Sequence, residues 1–152
     1  MRITTKGRYA LKAILYLAKN HQDQPISIKS IAASEKISPE FLEQLFFKLK
    51  KSEVIASVRG PGGGFFITKD LSEITVQQVF EAVGETLDLT PCTTCNEDTD
   101  PCDATDDCLS YDVWKTAADH IRGYFGNLSL KKILDGGAKE FWNADIEEVA
   151  QG

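Results

Sequence analysis

The stretch Gly60-Pro61-Gly62-Gly63-Gly64 limits what this 152-residue chain can fold into more than any other. Glycine destabilises regular elements through its backbone entropy and proline lacks a donor, so no helix or interior strand runs through it. Before it, Val54, Ala56 and Val58 alternate with Ile55, Ser57 and Arg59; after it comes Phe65-Phe66-Ile67-Thr68. The pattern predicts strand, tight loop, strand. No Gly-Lys-Ser/Thr follows and no helix begins there, so neither a P-loop nor a dinucleotide-binding turn fits. Four glycines would still let backbone N–H groups approach an anion closely. A plain hairpin turn and a probe of phosphate or minor groove are both open on these residues alone.

Three helices are expected ahead of the hairpin. Thr4 or Thr5 can cap the first, in which Tyr9, Ala13, Ile14, Leu17 and Ala18 recur at helical spacing until about Asn20. Ser27 caps a short second helix through Ile28, Ile31 and Ala32, and Ser38-Pro39 opens a third with proline in its permitted first position. Leu42, Leu45, Phe46 and Leu49 form its inward face, whereas Glu40, Glu43, Gln44, Lys48 and Lys51 face outward. Two helices joined by a tight turn, the second displaying long polar side chains, form a helix-turn-helix, and the hairpin after it is its wing.

Charge sharpens this division. Residues 1–69 hold 12 Lys+Arg against 5 Asp+Glu, and residues 70–114 hold 12 acids with no Lys or Arg. The net charge of −6 thus hides a basic N-terminal half suited to a polyanion. An unevenly charged, solvated surface is the plainer reading of charge alone. The longest apolar run, Ala13 to Ala18, is far short of the ~20 residues of a membrane span, and no export signal is evident, so a cytoplasmic protein with no membrane partner is expected.

Thr75 caps a further helix through Val76, Val79, Phe80 and Val83, closed by Gly84. A polar loop follows, with Cys92, Cys95, Cys102 and Cys108 spaced Cys-x2-Cys-x6-Cys-x5-Cys. Leu109, Val113, Trp114, Ala117, Ile121, Phe125 and Leu128 then keep a helical period, giving a stripe that serves either the chain's own core or a second copy of itself. Ser129 caps a short helix through Leu130, Ile133 and Leu134. The expected organisation is a winged helix-turn-helix over 1–84, a cysteine-rich loop over 85–108, a long helix and a short one over 109–134, and an unplaced tail over 135–152. The fold class is mainly α with a small β wing.

Clustered thiols in a reducing compartment point to metal or redox chemistry rather than to disulfides. An irregular loop can wrap zinc or an iron-sulfur cluster, and the missing second Cys-x2-Cys knuckle tilts the choice from zinc toward a cluster. Against that, Asp88, Glu97, Asp98, Asp100, Asp103, Asp106 and Asp107 crowd the segment, and their field is expected to raise thiol pKa values. A cluster, zinc and a thiol-disulfide switch all stay open here. His21 and His120 lie far apart and suit ordinary surface roles, and without a nucleophile elbow or Cys-His pairing no enzyme constellation emerges.

Met1-Arg-Ile-Thr-Thr-Lys-Gly-Arg-Tyr-Ala10, Phe41-Leu-Glu-Gln-Leu-Phe46, Ser57-Val-Arg-Gly-Pro-Gly-Gly-Gly64 and Cys108-Leu-Ser-Tyr-Asp-Val-Trp114 resemble the IscR-type family of winged-helix transcriptional regulators, whose relatives include NsrR and RirA. The resemblance runs from Met1 to about Leu134. It implies a homodimer on a pseudo-palindromic, double-stranded operator, the third helix in the major groove and the wing in the adjacent minor groove. Carried over by position, Glu43 and Gln44 would face bases and Arg59 with Gly60, Pro61 and Gly62 would form the wing contact; Ser38, Glu40 and Lys48, on the cap and outer face of the same helix, complete the expected DNA-binding set. Trp114, Ala117, Ile121 and Phe125 would form the dimer seam, giving a long dimerisation helix. Cys92, Cys95, Cys102 and Cys108 would hold the iron-sulfur cluster, [2Fe-2S] ahead of [4Fe-4S], with zinc as the alternative, and regulation of iron-sulfur biogenesis or redox stress is implied. Two departures stand out. Tyr111 occupies the position of the family's histidine ligand, which suggests all-Cys ligation; Arg8 replaces the NsrR-type carboxylate, which argues against nitric-oxide sensing.

Overall fold

The computed structural model describes residues 2–20, 23–93 and 108–136. Their elements are α1 (Thr5–Asn20), α2 (Ile28–Glu35), α3 (Pro39–Lys51), β1 (Ile55–Val58), β2 (Gly64–Ile67), α4 (Val76–Ala82), a 3₁₀ turn (Pro91–Thr93), α5 (Tyr111–Asn127) and α6 (Leu130–Asp135). Among the described residues no helix is long and apolar enough to cross a membrane.

Local chemistry explains most boundaries. The Ser27 side chain accepts from Ser30 N–H at 3.2 Å, and Lys36, in the left-handed region at φ 55°, ends α2. Ser38 Oγ accepts from Phe41 N–H at 3.2 Å, Pro39 follows at the first helical position, and Lys48, Lys50 and Lys51 in the last turn complement the dipole of α3. Thr75 and Gln78 form a reciprocal capping box on α4. At α1 the expected threonine cap is replaced. Thr4 Oγ1 donates to the Glu85 carboxylate, which also receives Thr4 N–H at 3.1 Å and Gly7 N–H at 3.0 Å. An acidic residue 81 positions away caps the first turn because its charge suits the positive end of the helix.

β1 and β2 pair antiparallel in the register Ile55↔Ile67 to Val58↔Gly64. Ile26 joins this ribbon from the far side, exchanging backbone hydrogen bonds of 2.9 and 2.8 Å with Phe65. The wing is thereby tied to the segment that leads into α2.

One core unites α1 to α4 and the hairpin: Ala10, Ala13, Ile14 and Leu17 meet Ile31, Leu42, Leu45, Phe46, Leu49, Val54, Ile55, Ile67, Val79 and Val83. Phe46 meets Phe65 edge-on at 4.9 Å. Leu130 of α6 is fully buried in this same core, an effect of about 1.5–3 kcal/mol. A smaller cluster joins Val76, Phe80 and Leu87 to Leu128, with Phe125 packed on Phe80 at 5.3 Å. Backbone bonds from Val76 N–H to Leu128 O (2.9 Å) and from Leu130 N–H to Ile74 O (2.8 Å) fasten the end of α5 to the start of α4.

Helix α5 begins two residues later than the apolar pattern suggests. Tyr111 N–H closes a turn on Cys108 O at 3.0 Å, leaving Leu109 ahead of the helix and 94% exposed. Of the residues matched to a dimer seam, Trp114 is exposed, Ala117 and Ile121 are half-buried, and Phe125 turns into its own chain against Phe80. The fully buried position of α5 is Ala118, which the pattern omitted.

Candidate nucleic-acid interface and thiol loop

Burial of Leu42, Leu45, Phe46 and Leu49 fixes the rotation of α3, so Glu40, Glu43, Gln44, Lys48 and Lys51 are all exposed on its outer side. Ser38 is exposed too, with its hydroxyl engaged as the helix cap. Lys50 Nζ donates to Ser57 Oγ at 2.6 Å, holding the end of α3 against β1. Arg59 and Pro61 are exposed on the hairpin loop, which Gly60 (φ 98°) and Gly62 (φ 74°) turn through the left-handed region with Gly63 N–H closing on Gly60 O at 2.9 Å. An outward polar helix face and an exposed arginine on a tight loop are thus carried by one rigid core, as contact with a duplex requires. Phe47, 69% exposed among these polar residues, was absent from the expected face although it lies four positions after Glu43.

The two ends of the thiol loop are held differently. Cys92 is half-buried on the 3₁₀ turn, its Sγ 3.1 Å from Thr90 Oγ1. Arg122 of α5 fastens this turn, with Nη2 donating to Asp88 Oδ1 at 2.6 Å and to Thr93 O at 3.0 Å and Nη1 to Asp119 Oδ1 at 3.4 Å. Cys108 sits just before α5 with Sγ 3.2 Å from Ser110 Oγ. Hydrogen bonding from the Ser110 side chain, aided by the N–H groups of Ser110 and Tyr111, holds its thiol below the ordinary cysteine value, and the opposing Asp112 charge is a minor influence. The expected upward shift from the acidic field is therefore reversed at Cys108, because donors at bonding distance outweigh more distant charge. Thiolate is the ligating form, so this end of the loop suits a cluster or metal bound through sulfur.

Cys95, Cys102, His21 and the tail from 137 lie outside the described residues. Among the described residues no three His, Cys, Asp or Glu side chains converge on one point. His120 is exposed with Nδ1 2.8 Å from Thr116 O; Tyr111 is half-buried and Arg8 is exposed. Glu85 and Arg122 escaped the sequence reading because their partners are far along the chain and no periodicity marks them. Burial pushes the Glu85 carboxyl up, but hydrogen bonds from Thr4 and Gly7 and the Lys6 charge outweigh it and hold the group below the ordinary glutamate value.

The pattern of the Rrf2 family, described as iron-dependent transcriptional regulator, matches residues 3–136. The chain belongs to the Rrf2 family. It is 40% identical over 150 residues to the HTH-type transcriptional regulator IscR of Photorhabdus laumondii, covering 99% of this chain and 85% of that protein. The structure of CymR, the global cysteine regulator of B. subtilis, superimposes with a TM-score of 0.69 at 27% identity, covering 88% of this chain and 95% of that one. IscR of T. potens gives a TM-score of 0.69 at 26% identity over 88% and 86% of the two chains. This Rrf2 protein is thus a DNA-binding transcriptional regulator of the IscR type with a winged-helix fold, and it is not an enzyme.

Proposed function

We propose that this regulator binds a pseudo-palindromic operator as a cytoplasmic homodimer, and that an iron-sulfur cluster on Cys92, Cys95, Cys102 and Cys108 governs the binding. α3 enters the major groove with Ser38, Glu40, Glu43, Gln44 and Lys48, and Arg59 with Gly60, Pro61 and Gly62 probes the adjacent minor groove. Glu43 can accept a hydrogen bond from cytosine N4 and is repelled by phosphate, so its presentation selects among operators. Trp114, Ala117 and Ile121 supply the contact between copies; Phe125 supports that surface from beneath through Phe80.

The observation that carries the reading is that both described cysteines stand beside anchors of α5: Arg122 bonds Asp88 and Thr93 O on either side of Cys92, and Cys108 lies directly ahead of the first turn. A change in the loop therefore bears on the helix whose far end is bonded to α4 of the DNA-binding core. When bound, a cluster, [2Fe-2S] ahead of [4Fe-4S], supplies an occupancy that depends on oxidants and iron supply. The chain's residues do the rest: Thr90, Ser110 and the start of α5 hold the thiols, and Arg122 ties the turn that carries Cys92 to α5 through Asp88 and Thr93 O. Ligation in one arrangement of the loop shifts the DNA-binding population by its differential affinity for the two states. The targets this suits are genes of iron-sulfur biogenesis or redox stress.

Purification without air, followed by a visible spectrum and iron, sulfide and zinc analysis on one sample, tests the reading. Stoichiometric iron and sulfide with visible absorption supports it. Colourless protein with zinc, or no metal after anaerobic reconstitution, overturns cluster control.

A further inference from the structure

We propose that Phe47 reads DNA sequence by packing its ring on the 5-methyl group of a thymine within about two base pairs of the base facing Glu43. The inference rests on the placement of α3 in the major groove and adds to it a specificity residue that makes no hydrogen bond.

Phe47 stands out because its neighbours on α3 are satisfied: Phe41 meets Tyr9 edge-on at 5.9 Å and Phe46 meets Phe65 at 4.9 Å. Phe47 is instead 69% exposed, whereas Phe46 beside it is fully buried. Lying four residues after Glu43 and three after Gln44, it continues their outward row. An aromatic ring gains from meeting an apolar partner, and its surroundings restrict what that partner is. Lys48, Lys50 and Lys51 follow it and Gln44 precedes it, all exposed. Three lysines within four residues of Phe47 suit a polyanion that carries an isolated apolar group. In a major groove that group is the thymine methyl, the one apolar feature of the base edges. A helical turn advances 5.4 Å and a base step 3.4 Å, so the thymine falls within about two base pairs of the base opposite Glu43.

Operator duplexes selected from random-sequence DNA by the anaerobically purified full-length protein supply the probe. Each half-site thymine is then replaced by deoxyuridine, which removes the methyl and keeps every hydrogen bond. The wild type should lose about fourfold in affinity at one or two thymines, the effect of withdrawing one methyl group from an apolar contact. Phe47→Ser should be insensitive to the same replacements while melting at the wild-type temperature, and Phe47→Leu should retain part of the sensitivity. Equal responses of wild type and Phe47→Ser at every thymine, while Glu43→Ala and Gln44→Ala still change base preference, overturn the role of Phe47 alone. If Glu43→Ala and Gln44→Ala also leave base preference unchanged, the major-groove placement of α3 is overturned and this inference with it.

Discussion

Gly7 and Glu85 make a contact that a side chain at position 7 would crowd: the Gly7 N–H donates to Glu85 Oε2 at 3.0 Å, and a Cβ there would lie 2.6 Å from the same oxygen, so the carboxylate would have to shift. The carboxylate is thus seated on the first turn of α1 while belonging to the segment that leads from α4 toward the thiol loop. Gly7→Ala should displace Glu85 and lower stability by about 1–3 kcal/mol, despite the better helix propensity of alanine. Urea unfolding followed by circular dichroism measures it, and Glu85→Ala should remove most of the difference between glycine and alanine at position 7.

The same contact sets an acid response. Because the folded protein holds Glu85 below the ordinary glutamate value, its stabilisation is fully present above that value and is lost as the pH falls through the lower, folded one. Wild type should therefore be more stable than Glu85→Gln at neutral pH, with the gap closing in the acid range below the ordinary glutamate value. A gap that is constant with pH contradicts this assignment.

Arg122 is expected to control the order of the loop's first turn. Arg122→Met removes the two bonds that Nη2 donates to Asp88 and to Thr93 O, and Arg122→Lys should fail to restore them because its shorter side chain carries a compact, strongly hydrated ammonium that ends short of the Nη2 position. Hydrogen exchange over residues 88–93 should rise severalfold in both variants while the amides of α1 and α3 keep their protection. Unchanged exchange at 88–93 would refute the clamp.

Arg59→Ala should weaken operator binding across all sequences and reduce the slope of log affinity against log salt by about 1, as expected for one lost phosphate or groove contact. Fluorescence anisotropy at several salt concentrations separates this from a loss of base reading, which changes preference and leaves the slope intact.

Leu130→Ala should cost about 2–5 kcal/mol although the residue lies beyond both the thiol loop and α5, because its side chain fills the core shared by α1 to α4. A cost under about 1 kcal/mol would mean that α6 is peripheral.

What the sequence determined by itself is local. Ser27, Ser38 and Thr75 cap helices where their side chains reach N–H groups three residues on, the apolar spacing from Leu42 to Leu49 sets the buried face of α3, and the glycines after Arg59 make a hairpin. Each depends on neighbours within a turn or two, so periodicity and residue type suffice to find it. Tertiary structure decided the rest. The α1 cap comes from Glu85, the thiol turn is fastened by Arg122, Phe125 faces Phe80, and Leu130 enters the N-terminal core. These pairings join residues tens of positions apart whose local patterns are compatible with several partners. Only tertiary packing selects among them, because the same apolar stripe on α5 can bury itself against α4 or against another molecule until the shape of the core leaves Ala118 inside, Phe125 half-buried against Phe80 and Trp114 at the surface.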